Sequence, residues 1–205
     1  MTKSKIISLK MIKWFGLYGL LVWCGLTLSG AAGAVEFSAQ MLLKDGNKTM
    51  PGKLYIKEGK MRQEFLDEEG QTITIVRPDK KVVWVIMYPG KTYMEMPLKR
   101  ELPGQFLQIP PDAFRQRKVG TETVNGYLTD KYEVMLKGGT SGLIHQTFWV
   151  APKLGVPVKM VSPLRKYSLE YRNIKEGKVP DRLFELPPGY RKLPGPSGYP
   201  LRRWD

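Results

Sequence analysis

Cysteine and histidine are almost missing from this chain: its 205 residues hold one of each, Cys24 and His145. A single cysteine cannot close an internal disulfide, and a single histidine cannot complete a histidine-based metal site. Acidic residues are scarce as well, 19 against 33 lysines and arginines, for a net charge of +14. The cations are nevertheless spread along the chain, as in Lys57, Lys60, Lys80, Lys81, Arg115, Arg117, Lys118, Arg165 and Lys166, and never form a run of five. Such spacing describes a solvated basic surface, or one drawn to anionic lipid headgroups and envelope polymers. No nucleic-acid motif accompanies it. The stretch Lys137-Gly138-Gly139-Thr140-Ser141-Gly142 is glycine-rich but lacks the residue order of a phosphate loop. Asp67, Glu68 and Glu69 fall in a predicted turn, and no spacing proposes a working carboxylate pair. The sequence therefore assigns no catalytic residue, no metal site and no cofactor.

What is present begins at the N-terminus. Lys3, Lys5, Lys10 and Lys13 precede an apolar run from Trp14 to Leu28, and small residues end at Ala32-Gly33-Ala34. A basic start, an apolar stretch and an A-x-A site describe a secretory signal peptide over residues 1–34, cut after Ala34. An uncleaved anchor is the alternative, because Trp14 to Ala34 is close to the roughly 20 residues that cross a bilayer. Cleavage removes Cys24 and four lysines, leaving a cysteine-free chain of 171 residues with a net charge of +10 in the periplasm. That length suits one domain, here 35–193, that buries about 70% of its unfolded surface.

Strand signals dominate this domain. Short apolar or alternating runs are cut by turn residues, and they predict strands near 36–44, 52–58, 60–66, 71–77, 81–88, 91–97, 127–136, 144–151, 156–162 and 166–174. Asp45-Gly46, Pro78-Asp79, Pro89-Gly90 and Asn125-Gly126 suit tight turns between them. Hairpin spacing implies antiparallel pairing. Helix is confined to short stretches near 100–108 and 111–117.

Residues 81–97 are the most informative. With Pro89-Gly90 as the turn, Val85 pairs with Met94 and Val83 with Met96. One face then carries Val83, Val85, Met87, Met94 and Met96, while the other carries Val82, Trp84, Ile86, Tyr88 and Tyr93. An antiparallel sheet with one wet face should alternate apolar with polar. Here both faces are largely apolar, the second interrupted only by Lys91 and Glu95, so a helix, another barrel wall or an apolar ligand must cover it. Methionine-rich surfaces suit irregular apolar ligands, although such residues at strand spacing also serve as plain core. The candidate lining is Val83, Val85, Met87, Met94, Met96 and Trp84.

Several segments together resemble a known family. They are Ile73-Thr74-Ile75-Val76-Arg77-Pro78-Asp79, Tyr93-Met94-Glu95-Met96, Gly120-Thr121-Glu122-Thr123-Val124-Asn125-Gly126-Tyr127, Gly155-Val156-Pro157-Val158-Lys159 and the closing Phe184-Glu185-Leu186-Pro187-Pro188-Gly189-Tyr190. Their order is similar to that of DUF4412, a family of exported bacterial proteins related in fold to the LolA and LolB lipoprotein carriers. The resemblance implies a mainly β domain with short helices, whose curved antiparallel sheet forms a half-open barrel around an apolar hollow. In LolA-type carriers that hollow takes the acyl chains of lipoproteins.

Three readings follow. A monomeric, non-enzymatic carrier shielding a lipid or lipoprotein acyl chain accounts for the export, the two-faced apolar strand and the resemblance. An envelope interaction or stress-sensor domain, using its basic surface on a protein or anionic polymer, accounts for the charge. A hydrolase is the weakest, with only His145 in its favour. The Pro- and Gly-rich tail from Pro194 to Asp205 reads as unpacked, or as a membrane-surface contact through Arg202, Arg203 and Trp204.

Overall fold

A computed structural model describes residues 35–67, 70–98, 107–111, 113–137 and 142–194. The expected signal peptide, the tail beyond residue 194 and most of the 100–108 helix lie outside these residues. The strands are β1 (Phe37–Asp45), β2 (Lys48–Lys57), β3 (Lys60–Asp67), β4 (Gly70–Arg77), β5 (Val82–Met87), β6 (Thr92–Pro97), β7 (Arg115–Val124), β8 (Tyr127–Lys137), β9 (Leu143–Ala151), β10 (Val156–Ser162), β11 (Tyr167–Glu176) and β12 (Arg191–Lys192). One 3-10 turn, Asp181–Phe184, is the helical element among the described residues.

All twelve strands form one sheet in the order β12-β6-β5-β4-β3-β2-β1-β11-β10-β9-β8-β7. Two meanders thus spread from the middle, and they join where β1 pairs with both β2 and β11. Every pairing is antiparallel except that of β12 with β6. A sheet this wide must curl as its strand twist accumulates, and it forms the half-open barrel expected from the sequence.

Turn chemistry holds the register. Asn125 and Gly126 both take positive φ, 50° and 84°, as a two-residue hairpin turn requires. At Pro89-Gly90 the left-handed residue is Lys91 (φ 43°), and its N–H donates to the Tyr88 carbonyl at 3.2 Å. The same closure recurs at Lys81 on Pro78 and at Lys166 on Pro163. The β5–β6 pairing is the one the sequence proposed, Val85 opposite Met94 and Val83 opposite Met96.

One expectation is corrected, and one short strand is added. Residues 115–117, expected in a short helix, begin the ten-residue strand β7. Its sequence, Arg-Gln-Arg-Lys-Val-Gly-Thr-Glu-Thr-Val, has no apolar alternation, and pairing with β8 imposes the extended form. The strand β12 also carries no local signal, being two exposed cations added to an existing edge.

The core lies mainly on one face, here the inner one. Phe37, Met41, Leu54, Met61, Val76, Val83, Leu169 and Tyr171 form its largest cluster. The connection from β6 to β7 also packs against this face. Leu98 and Leu107 join the main cluster, and Ile109 and Ala113 cover Val134, Phe148 and Met160.

Candidate functional site

Strands β3 to β6 set the inner face in cross-strand rows. Met61, Val76, Val83 and Met96 stand in one row, Gln63, Thr74, Val85 and Met94 in the next, and Phe65, Thr72, Met87 and Thr92 in the third. Five of the six candidate residues therefore share this face. Their burial is graded. Val83 is 2% exposed and belongs to the core, whereas Val85, Met87, Met94 and Met96 are only half-buried. Polar groups lie among them. Gln63 is buried, and so is Tyr171 on β11, whose hydroxyl completes no hydrogen bond among the described residues although Gln63 is near enough to influence its ionisation. Burial pushes this phenol well above its ordinary pKa.

Trp84, the sixth candidate, points to the opposite face. There it packs with Ile73, Ile75 and Ile86 against Val179 and Phe184, with Leu183, Leu186 and Tyr190 around them. The chain's own C-terminal segment therefore covers the second apolar face. Leu183, Phe184 and Leu186 sit between Pro180 and Pro187-Pro188, with Val179 and Tyr190 just outside, a pattern that held the signal for this role.

Polar contacts fasten that segment at its start, middle and end. The Val179 N–H donates to Glu36 at 2.8 Å, and Lys57 Nζ pairs with Asp181 at 3.0 Å. Two buried arginines of the sheet then serve its carbonyls. Arg62 donates to the Leu183 oxygen and Arg77 to the Phe184 oxygen, both at 2.9 Å. Arg77 also pairs with Asp79 and with Glu185, each at 2.6 Å. Its hydrogen bond to Asp79 raises the guanidinium pKa and, reciprocally, holds the Asp79 carboxyl well below its usual range. For Glu185, burial pushes upward, but the bonds from Lys80 and Arg77 outweigh it and the net shift is downward. At the end, β12 adds to β6 through Arg191 N–H to Lys91 and Leu193 N–H to Tyr93. Trp84 is enclosed here as well. Its Nε1 donates to Glu95 at 2.9 Å, and Lys80 and Arg77 lie 5.2 and 5.8 Å from its ring centre.

An open hollow of about 570 Å³ lies elsewhere, on the outer face of β1 to β3, with Leu42, Pro51, Lys53, Glu64, Leu66 and Arg172 in its wall. None of the six candidates lines it. His145 sits on β9 opposite Met135, where its carbonyl accepts a bond from the Ser162 hydroxyl at 3.4 Å. Among the described residues no helix is long and apolar enough to cross a membrane.

The sequence matches the model of a domain of unknown function, DUF4412, over residues 35–155. No curated protein matches it. Among solved structures, an uncharacterized conserved protein from Thermus thermophilus is similar in fold, with TM-score 0.58 and 13% identity over 79% of this chain and 91% of the other. The MucA/MucB complex of Pseudomonas aeruginosa aligns with TM-score 0.48 and 12% identity, over 75% of this chain and 56% of that one. The Mycobacterium tuberculosis lipoprotein LppX aligns with TM-score 0.39 and 12% identity, over 69% and 85%.

Proposed function

The chain belongs to the DUF4412 family, and we propose that it is an exported, non-enzymatic binding protein that holds the acyl chain of a lipid or lipoprotein against its inner face. One observation carries this reading. Strands β5 and β6 are largely apolar on both faces, and the C-terminal segment packs over the outer one, burying Trp84 and Ile86 and partly covering Val82 and Tyr93. On the inner face Val85, Met87, Met94 and Met96 keep part of their surface exposed. Contiguous exposed apolar surface on a concave sheet favours an apolar guest, since burying it gains roughly 25 cal/mol per Å². Methionine side chains adapt to a chain of irregular shape. Val83, at the base of the same face, supports the lining from the core, and Trp84 braces it from behind. The protein works as a monomer in the periplasm after cleavage at Ala34, and its basic surface brings it to anionic membranes from which such guests come.

Native mass spectrometry on protein purified from the periplasm without detergent tests this proposal. A co-purifying phospholipid, fatty acid or acylated peptide, identified after organic extraction, is the expected result. A clean apo mass that stays unchanged when lipids are offered would refute the carrier reading.

A further inference from the structure

The two edges of the sheet are treated differently. At the β6 edge, β12 pairs with Thr92 and Tyr93 and so caps the first part of the strand. At the other end, no described residue pairs with the outer side of β7. This strand is exposed at every position from Arg115 to Thr123. Its unpaired N–H and C=O groups are a ready template for one more strand.

The side chains of that edge decide what strand fits. Arg115, Arg117 and Lys118 put three cations into four residues. Arg115 and Arg117 stand opposite Met135 and Glu133, whereas Lys118 stands opposite Tyr132 and therefore projects to the other face. An added strand, with side chains alternating between faces, meets positive charge on both. Arg117 pairs with Glu133 and Lys118 with Asp130, each at 2.8 Å, and Arg115 has no ion-pair partner among the described residues. Exposed pairs of this kind contribute little and open readily to a competing carboxylate. A second copy of β7 fits poorly, because like charges would face each other across the new pairing. The register shift between Lys118 and Gly120 leaves Val119 as a bulge, which kinks the edge and limits the usable template to its first four residues.

We propose that Arg115–Lys118 is a docking edge for an extended acidic peptide segment, which adds to the sheet beside β7 with its carboxylates between the three cations. This site is independent of the inner face. Fluorescence anisotropy on the purified protein should detect a short labelled peptide alternating glutamate with threonine, and not its lysine counterpart. Binding should weaken severalfold as salt rises from about 0.05 to about 0.5 M, because exposed charges are screened. Arg115→Glu combined with Arg117→Glu should lose roughly tenfold or more in affinity. Both changes lie on an exposed strand, and an unchanged circular dichroism spectrum verifies the fold. Amide hydrogen exchange gives the second readout, with peptide binding slowing exchange at residues 115–118. Peptide binding that leaves those amides unprotected would overturn the proposal. So would undiminished binding by the double variant, absence of peptide binding, or protection of these amides by anionic vesicles and not by the peptide.

Discussion

Arg77 and Glu185 meet at 2.6 Å although 108 residues separate them in the chain. The arginine also bonds the carbonyl of Phe184, so one buried cation fixes both a side chain and a backbone oxygen of the C-terminal segment. Through this contact the segment becomes the cover of the outer face of β4 and β5.

Replacing Arg77 by leucine should therefore loosen that segment before it disturbs the sheet. The loss should be about 2–3 kcal/mol, below the cost of breaking a fully buried pair, because Asp79 and Glu185 are half exposed. Chemical denaturation should report it, with faster amide exchange over residues 179–190. Lys80→Leu, whose ammonium is itself half exposed, should cost no more than about 1 kcal/mol. Equal losses in the two variants would deny Arg77 its special role.

Acid should act on the same contacts. Asp79, Glu185 and Glu95 all have carboxyl pKa values held below the ordinary range, the last chiefly by Lys192 and then by Trp84. A depressed folded pKa means that the stabilisation is complete above the unfolded carboxylate range, about 4. It is lost as pH falls through the folded values. Melting temperature should stay level near neutrality and fall in acid, and Asp79→Asn with Glu185→Gln should flatten that fall. An unchanged acid profile in the double variant would show that these groups do not govern it.

The graded burial of the inner face predicts a split among its residues. Met94→Glu with Met96→Glu alters half-buried positions and should leave a folded protein that no longer takes up lipid. Val83→Ala, in the core, should instead cost about 2 kcal/mol while leaving uptake in the remaining folded fraction. Global unfolding of the methionine double variant would make those side chains core and not lining.

Gly52 is required for space rather than for φ. A Cβ there would lie 2.6 Å from the Glu64 carbonyl oxygen and 3.0 Å from the Met41 methyl carbon. The first contact is with backbone, which cannot turn aside. Gly52→Ala should thus force β2 from β3 and cost about 2 kcal/mol in equilibrium unfolding. A neutral substitution would show that the pair can separate without loss.

Much of the fold was legible because strand alternation and turn residues are local properties. In the stretch from Val82 to Pro97 the local pattern shows two largely apolar faces, and the pairing implied by a turn at Pro89-Gly90 is the one observed. The strand β7 was not legible. Its charged residues resemble those of a solvated helix turn, and only hydrogen bonds to β8 make it extended. Buried Arg62 and Arg77 were equally hidden, because an arginine read in isolation belongs at the surface. Their burial depends on the Leu183 and Phe184 carbonyls and, for Arg77, on Glu185, all more than 100 residues away.

The candidate lining divides along the same line. That Val83, Val85, Met87, Met94 and Met96 share a face follows from the twofold period of a strand, and so does the placement of Trp84 behind them. Which face stays open does not follow from any period. Both are apolar, and local sequence treats them alike. The sequence by itself determined a strand-rich chain with a single cysteine and a central hairpin that is largely apolar on both faces. The tertiary structure alone decided that residues 179–190 return to cover the outer face and leave the inner one half-covered, because that choice rests on contacts between residues far apart in the chain.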